Sequence, residues 1–483
     1  MIKSITLGAA FIAGANAFWR MECPGRVGLA RIDPIVNPDE VSNHVHSIGG
    51  SSAFSENSSY ADLTHGKCTS CRVKQDMSSY WHPALYFKDA GTGKFEVVEQ
   101  VGGMLAYYLL NGDHITAFPP GFRMLSGNTN RTEYTLGDPS HPDPDKSAWA
   151  SMGQTNQKDL AQRAVGFNCL NYGKAPEGTL FRHFLPEKQY LDANCKDGVR
   201  FEIMFPSCWK GGDAVDSPNH QDHVAFPDLV MTGTCPESHP KRLPGLLYEV
   251  IWNTAAFQDR QGKFVLSNGD STGYGYHGDF MMGWDEAFLQ KAVDTCTNPS
   301  GRIEDCPLFD VVDKSEACQC ALESLPASVQ DEDVKGPMAR LPGGRDNHEI
   351  KEKPGYAGPV PTLKYTPGHK PTDPAAPLPG DVFKQKQHAE AAAMMMNAEQ
   401  APAPVQTPPP AATTPVADTK SYYSTQYITN GNVVSKILLE AQTVYVSQYG
   451  DQAAATPAAK PDAAAHRRRA VHMYQHAHFR RRQ

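Results

Sequence analysis

The sequence predicts a mostly β fold: one disulfide-stabilised domain of β-sandwich or jelly-roll type with few short helices, followed by a disordered tail. Three observations carry this. Short apolar runs alternate with turn clusters rich in Gly, Pro and Asn. All 11 cysteines precede the tail of the 483-residue chain. Past residue 330 the composition shifts to Pro, Ala, Thr, Gln and Lys, which bury too little apolar surface to offset chain entropy.

Residues 1–17 read as a signal peptide. Lys3 supplies the positive start, Ile5 to Ala13 is a short apolar run, and Ala15-Asn16-Ala17 fits a small-x-small cleavage pattern. Residues 18–330 form the expected globular domain. Strands are expected at Leu105–Leu110, Arg200–Phe205, Leu246–Trp252 and Lys263–Leu266. The first and last of these end in Asn111-Gly112-Asp113 and Ser267-Asn268-Gly269-Asp270, both turn clusters. Trp284, Ala287, Phe288, Lys291 and Ala292 fall at helical spacing, with Asp285-Glu286 suited to a first turn. Residues 331–483 are expected to be largely disordered; within them the apolar island Tyr422 to Tyr449 can form a short helix or strand locally, as a transient element without a core. The chain then ends in a His- and Arg-rich patch from His466 to Gln483.

The cysteines fit an oxidising, extracellular setting. Eleven is odd, so one is left free or pairs between chains. Cys68 and Cys71 read as taking structural disulfide roles rather than forming a redox or zinc pair, and Cys318 and Cys320 are too close to bridge each other comfortably, so each is expected to seek a different partner. Asn57-Ser58-Ser59 and Asn130-Arg131-Thr132 are glycosylation acceptors on a eukaryotic secretory route. The net charge of −8 and the absence of a basic stripe interleaved with aromatics argue against nucleic acid. No later stretch is long and apolar enough to be a transmembrane segment, and no phosphate-cradling glycine loop suggests a nucleotide.

Three polar loops point to one assembled site. The first holds His44 and His46. The second runs from Asp216 to His223 and includes His220 and Asp222. The third runs from Tyr274 to Asp285 and packs His277 and Asp279 among Tyr274, Tyr276, Trp284 and glycines. The order of these and other marks resembles the DUF1996 family of secreted, mainly fungal proteins. The shared marks include Asp33-Pro34-Ile35-Val36, His44-Val45-His46-Ser47-Ile48-Gly49-Gly50, Tyr80-Trp81-His82-Pro83, Phe205-Pro206-Ser207-Cys208-Trp209 and Gly275-Tyr276-His277-Gly278-Asp279-Phe280. The resemblance covers roughly residues 33–295. Relatives sometimes carry an appended carbohydrate-binding WSC module, which implies a cell-wall or extracellular polysaccharide setting. No such module is recognisable here, and the resemblance transfers no catalytic residue.

Three chemistries follow from these residues. Glycan cleavage needs two carboxyl groups across the scissile bond, and Asp279 with Asp216 is the first-choice pair among Asp216, Asp222, Glu249, Asp279 and Asp285. His277 and Asp285 would contact the sugar, with Trp81, Tyr274, Tyr276 and Trp284 as stacking platforms. A divalent transition metal is the second reading. His44 and His46 share a face on a strand, and His220 and His223 would meet on a helical turn, with His277 and Asp279 available to join them. The third is wall-glycan binding without catalysis. A nucleophilic enzyme is poorly supported: there is no Gly-x-Ser-x-Gly, and Cys208 reads as half of a disulfide. The expected partner is an extracellular or cell-wall polysaccharide.

Overall fold

Sixteen strands build the domain in this computed structural model, which describes residues 17–139, 142–344, 424–430 and 433–439. The first half supplies β1 (Ala17–Cys23), β2 (Gly28–Ala30), β3 (His46–Gly50), β4 (Ser79–Pro83), β5 (Leu85–Asp89), β6 (Phe95–Val97), β7 (Gln100–Leu110) and β8 (Arg123–Gly127). The second half supplies β9 (Val165–Cys169), β10 (Val199–Met204), β11 (Cys208–Trp209), β12 (Val224–Ala225), β13 (Lys241–Arg242), β14 (Gly245–Trp252), β15 (Gly262–Leu266) and β16 (His277–Met281). All four strands expected from sequence are present, as β7, β10, β14 and β15. The helices are short; the longest, Glu286–Thr295, is the one the spacing predicts.

Two five-stranded antiparallel sheets dominate. One has the order β1-β7-β14-β10-β9 and the other β2-β3-β4-β16-β8. Their inner faces meet. The Tyr248 hydroxyl on β14 donates to the Asp279 carbonyl on β16 at 2.8 Å, and the Tyr80 and Tyr108 hydroxyls lie 2.8 Å apart. Gly278 allows this approach, since a Cβ there would stand 3.1 Å from Ile203 and 3.2 Å from Phe205. Two smaller three-stranded sheets, β15-β5-β6 and β12-β11-β13, complete the fold.

Both outer faces are covered as well. Leu105, Tyr107, Leu247 and Ile251 pack under Trp149 and Leu160 on one side. Ile48, Trp81 and Met281 pack against Ile32, Phe54 and Leu63 on the other. A strand buried on both faces needs no polar alternate residues. This is why Leu246–Trp252 alternates only partly in sequence.

Five disulfides close the domain: Cys23–Cys71, Cys68–Cys320, Cys169–Cys195, Cys208–Cys235 and Cys296–Cys306. Cys318 is the odd thiol, and it is exposed. The packed chain continues past the expected boundary at 330. Arg31 Nε reaches Glu332 at 2.8 Å, Met338 bridges to Phe95, and Leu341 is buried. These contacts were invisible to composition because the segment from 331 to 344 is itself poor in apolar residues.

Separately, within the apolar island of the tail, Ser424–Asn430 and Val433–Leu439 pair antiparallel. The rest of the expected signal peptide before Ala17, the proline-rich tail and the Arg-rich terminus lie outside the described residues.

Candidate functional site

The outer face of the β2-β3-β4-β16-β8 sheet carries the site. His46 opens β3 and His277 opens β16, with β4 between them. Trp81 pairs with both Ile48 and Asp279, and continuing that register sets Pro83 between the two histidines. Strands two apart are roughly 9.6 Å apart, yet the His46 and His277 ring centroids are 6.0 Å apart. The rings therefore lean toward each other over the short Pro83 side chain. His44, from the preceding loop, completes a trio, with ring centroids 4.2 Å from His46 and 5.1 Å from His277. One nitrogen from each ring lies within 4.8 Å of the other two.

Each ring is oriented by an oxygen at Nδ1. His46 Nδ1 lies 3.0 Å from the Ile32 carbonyl, His277 Nδ1 lies 3.0 Å from the Gly275 carbonyl, and His44 Nδ1 lies 2.6 Å from Asn43 Oδ1. Carbonyl oxygens only accept, so each Nδ1 carries the proton and each Nε2 presents a lone pair. His46 Nε2 is buried with no hydrogen-bond partner, while His44 and His277 Nε2 face each other at 3.1 Å. Burial pushes His46 down to about 3 and His277 down to about 4, so both are neutral near pH 7.

Two carboxyls flank the trio. Asp33 accepts from the Ile35 and Val36 amides at 3.1 and 3.0 Å. Burial nonetheless holds its pKa above the usual range, against the pull of those amides and of His277. Asp279 shares a strand face with His277. It is fully buried, neither carboxyl oxygen has a partner, and burial, with Asp33 nearby, pushes its pKa well up.

The trio opens to solvent through a cleft of about 490 Å³, where Asp33, His44 and His277 face His220, Gln221 and Asn128. All three polar loops thus contribute to one place. Within that frame several expectations change. His220 and His223 do not sit on a helical turn: His220 has φ +56, and His223 turns away, with Nε2 2.8 Å from the Arg123 carbonyl and Nδ1 3.0 Å from the Ser217 hydroxyl. His277, not His220 or His223, joins His44 and His46. Asp216 is bound locally, to Arg123 at 2.9 Å, to His220 at 2.8 Å and to the Ser217 amide at 2.7 Å. Its burial would raise its pKa, but His220, the Ser217 amide and Arg123 outweigh that and lower it.

Asp285 is the N-cap of the helix that follows, accepting from the Phe288 amide at 2.7 Å. Trp81, Tyr276 and Trp284 are fully buried, so none offers a ring face to a polymer. Trp284 instead donates its indole N–H to the Tyr108 hydroxyl at 2.9 Å. Tyr274 lines a different cleft of about 960 Å³, beside Lys263 and Phe264. Glu249 is enclosed with Tyr107 and Arg200 on the far sheet, and Asp222 lies in an adjoining cleft. Sequence reasoning passed over Asp33 and Asn43 as site residues, although Asn43 adjoins His44 and Asp33 opens the first of the marks shared with the family.

The fold and site define a disulfide-linked, mostly β domain with a buried histidine cluster under a polar cleft. The family signature described as "Domain of unknown function (DUF1996)" matches residues 33–284, and the chain belongs to that family. No curated protein and no solved structure matches the chain. The five disulfides are compatible with a secreted protein, and among the described residues no helix is long and apolar enough to cross a membrane.

Proposed function

We propose that this domain is an extracellular protein that binds a segment of hydroxyl-rich polymer, a cell-wall polysaccharide, along the face that carries the histidines. The observation carrying this reading is that two clefts adjoin. The cleft of about 490 Å³ over the histidines shares Leu125, Gly127, Asn128, Asn130 and Gln221 with a second of about 590 Å³. Together they make a trough suited to several units of a chain rather than one small molecule.

The lining chemistry supports a sugar. Asn128, Asn130, Asn219 and Gln221 line it, and an amide can both donate and accept, as pairing with hydroxyl groups requires, while Gln157 and Asn268 bond the Phe226, Gly275 and Asp270 backbone and shape the wall. Arg131 and Lys158 are matched by Glu133 and Asp222, and no Lys or Arg among the described residues lines the adjoining cleft, so there is no excess of positive charge to draw a polyanion. Cleavage by paired carboxylates has less support. Asp279 is sealed from solvent, and Asp216 has its oxygens engaged by Arg123, Ser217 and His220.

The test is calorimetric titration of the full chain with oligosaccharides of increasing length from β-glucan, chitin and mannan, with product sizing alongside. The expected result is affinity that grows with length over several units, no shortened products, and loss of binding in Asn128→Trp, which blocks the shared rim. Absence of binding across the whole panel at millimolar ligand refutes the reading.

A further inference from the structure

We infer that His44, His46 and His277 form a binding site for one divalent transition-metal ion, held by their three Nε2 atoms and open to the cleft. The argument rests on where the lone pairs point. With Nδ1 protonated on all three rings, the 3.1 Å contact between His44 and His277 Nε2 brings two acceptors together. Two neutral acceptors at that distance repel, and a cation between them resolves the contact. His46 supplies the independent second observation: its Nε2 is fully enclosed and has no partner. A buried, unpaired acceptor is costly unless something occupies it.

The dimensions fit. A tetrahedral ion at roughly 2.0–2.1 Å from each nitrogen sets neighbouring ligands about 3.3 Å apart. The His44–His277 separation is close to that, and one nitrogen of each ring already lies within 4.8 Å of the other two, so the trio closes on an ion with a shift of at most about 1.5 Å. The Nδ1 bonds to Ile32, Gly275 and Asn43 are the outer contacts that fix tautomer and ring plane in histidine metal sites. Three neutral imidazoles suit zinc or copper; calcium and magnesium require oxygen ligands. Three protein ligands leave a fourth position free. His44 and His277 line the cleft, so that position is reached from it, and a sugar hydroxyl or water can take it. This inference stands without the polysaccharide reading.

The test uses the full chain, stripped with chelator and dialysed against chelator-buffered zinc, so that weak sites at the tail histidines stay empty. A peptide spanning 464–483 serves as the tail control. One tightly held equivalent is expected in the wild type beyond the tail peptide's uptake, and none in His277→Ala. His220→Ala keeps the equivalent. Asn43→Ala keeps the stoichiometry but binds about 10–100-fold more weakly, because only the orienting bond is lost. Cobalt in place of zinc gives the intense visible bands of a four-coordinate site, which zinc abolishes; this readout decides the matter if His277→Ala fails to fold. No uptake of zinc, copper or cobalt beyond the tail control overturns the inference. So does an equivalent that survives in folded His277→Ala, or a nitrogen NMR spectrum showing His44 and His277 sharing a proton instead.

Discussion

Two glycines that differ in one respect give a sharp test of the site's backbone. Gly127 ends β8 opposite His277 and has φ +88; Gly121 has φ +81 in the loop before it. Both pay the left-handed penalty when replaced by alanine, about 1–2 kcal/mol. Their surroundings differ. A Cβ on Gly121 meets nothing within 4 Å, whereas one on Gly127 stands 2.7 Å from the His277 Cα and closer still to the Tyr276 carbonyl, inside the 3.0 Å that real Cβ atoms respect. Both neighbours are backbone, so relief requires strand movement, which costs about 1–3 kcal/mol more by the measure of overpacked cores. Gly127→Ala is thus expected to lose about 2–5 kcal/mol, a large share of a typical domain's 5–15 kcal/mol. Gly121→Ala loses only the first part. Urea unfolding of the two variants beside wild type measures the gap. Equal losses at the two positions refute the claim that the β8 backbone is pressed against His277.

Two further outcomes follow from the same structure. Replacing Cys68 and Cys320 together with serine opens a link across 252 residues, worth about 5 kcal/mol in the chain-entropy account. The smaller disulfide loops inside it shorten the path by about a quarter, which the logarithm hardly registers; an unchanged melting midpoint contradicts the estimate. Asp76 is fully buried against Tyr80 and the Ser78 amide, and burial raises its pKa from 3.8 to about 6. Between those values the folded state binds the extra proton, so stability is full below about pH 4 and falls as pH rises through 6. Asp76→Asn removes that dependence. Its stability relative to wild type should improve by about 3 kcal/mol from pH 4 to pH 7, and parallel pH profiles for the two proteins argue against a buried, protonated Asp76.

Local chemistry was legible in the chain itself. Turn clusters after Leu110 and Leu266 end strands because Asn, Asp and Gly satisfy tight turns wherever they occur. Asp285 caps its helix through a bond to a residue three positions on, and the odd thiol follows from counting. The nearness of His44 to His46 was readable from their spacing, although the two do not share a strand face: His44 lies in the loop before β3, and its ring still comes to 4.2 Å from that of His46. The aromatic platforms were misplaced because sequence does not tell which strands are covered on both faces, as β4 is at Trp81, or that Trp284, beyond the end of β16, packs against Tyr108 and Phe309.

The choice of the third histidine lay beyond the sequence. His220 and His277 are equally plausible by spacing alone, and His277 stands 233 residues from His44. Only the placement of β4 between β3 and β16, with Pro83 at the crossing, brings that imidazole over while the turn at Ser217 draws His223 aside. The sequence by itself determined that the polar loops exist, that cysteines staple the domain, and that strands dominate. Tertiary structure decided which of those polar groups meet, because strand order and register are set by long-range packing of both sheet faces rather than by any local preference.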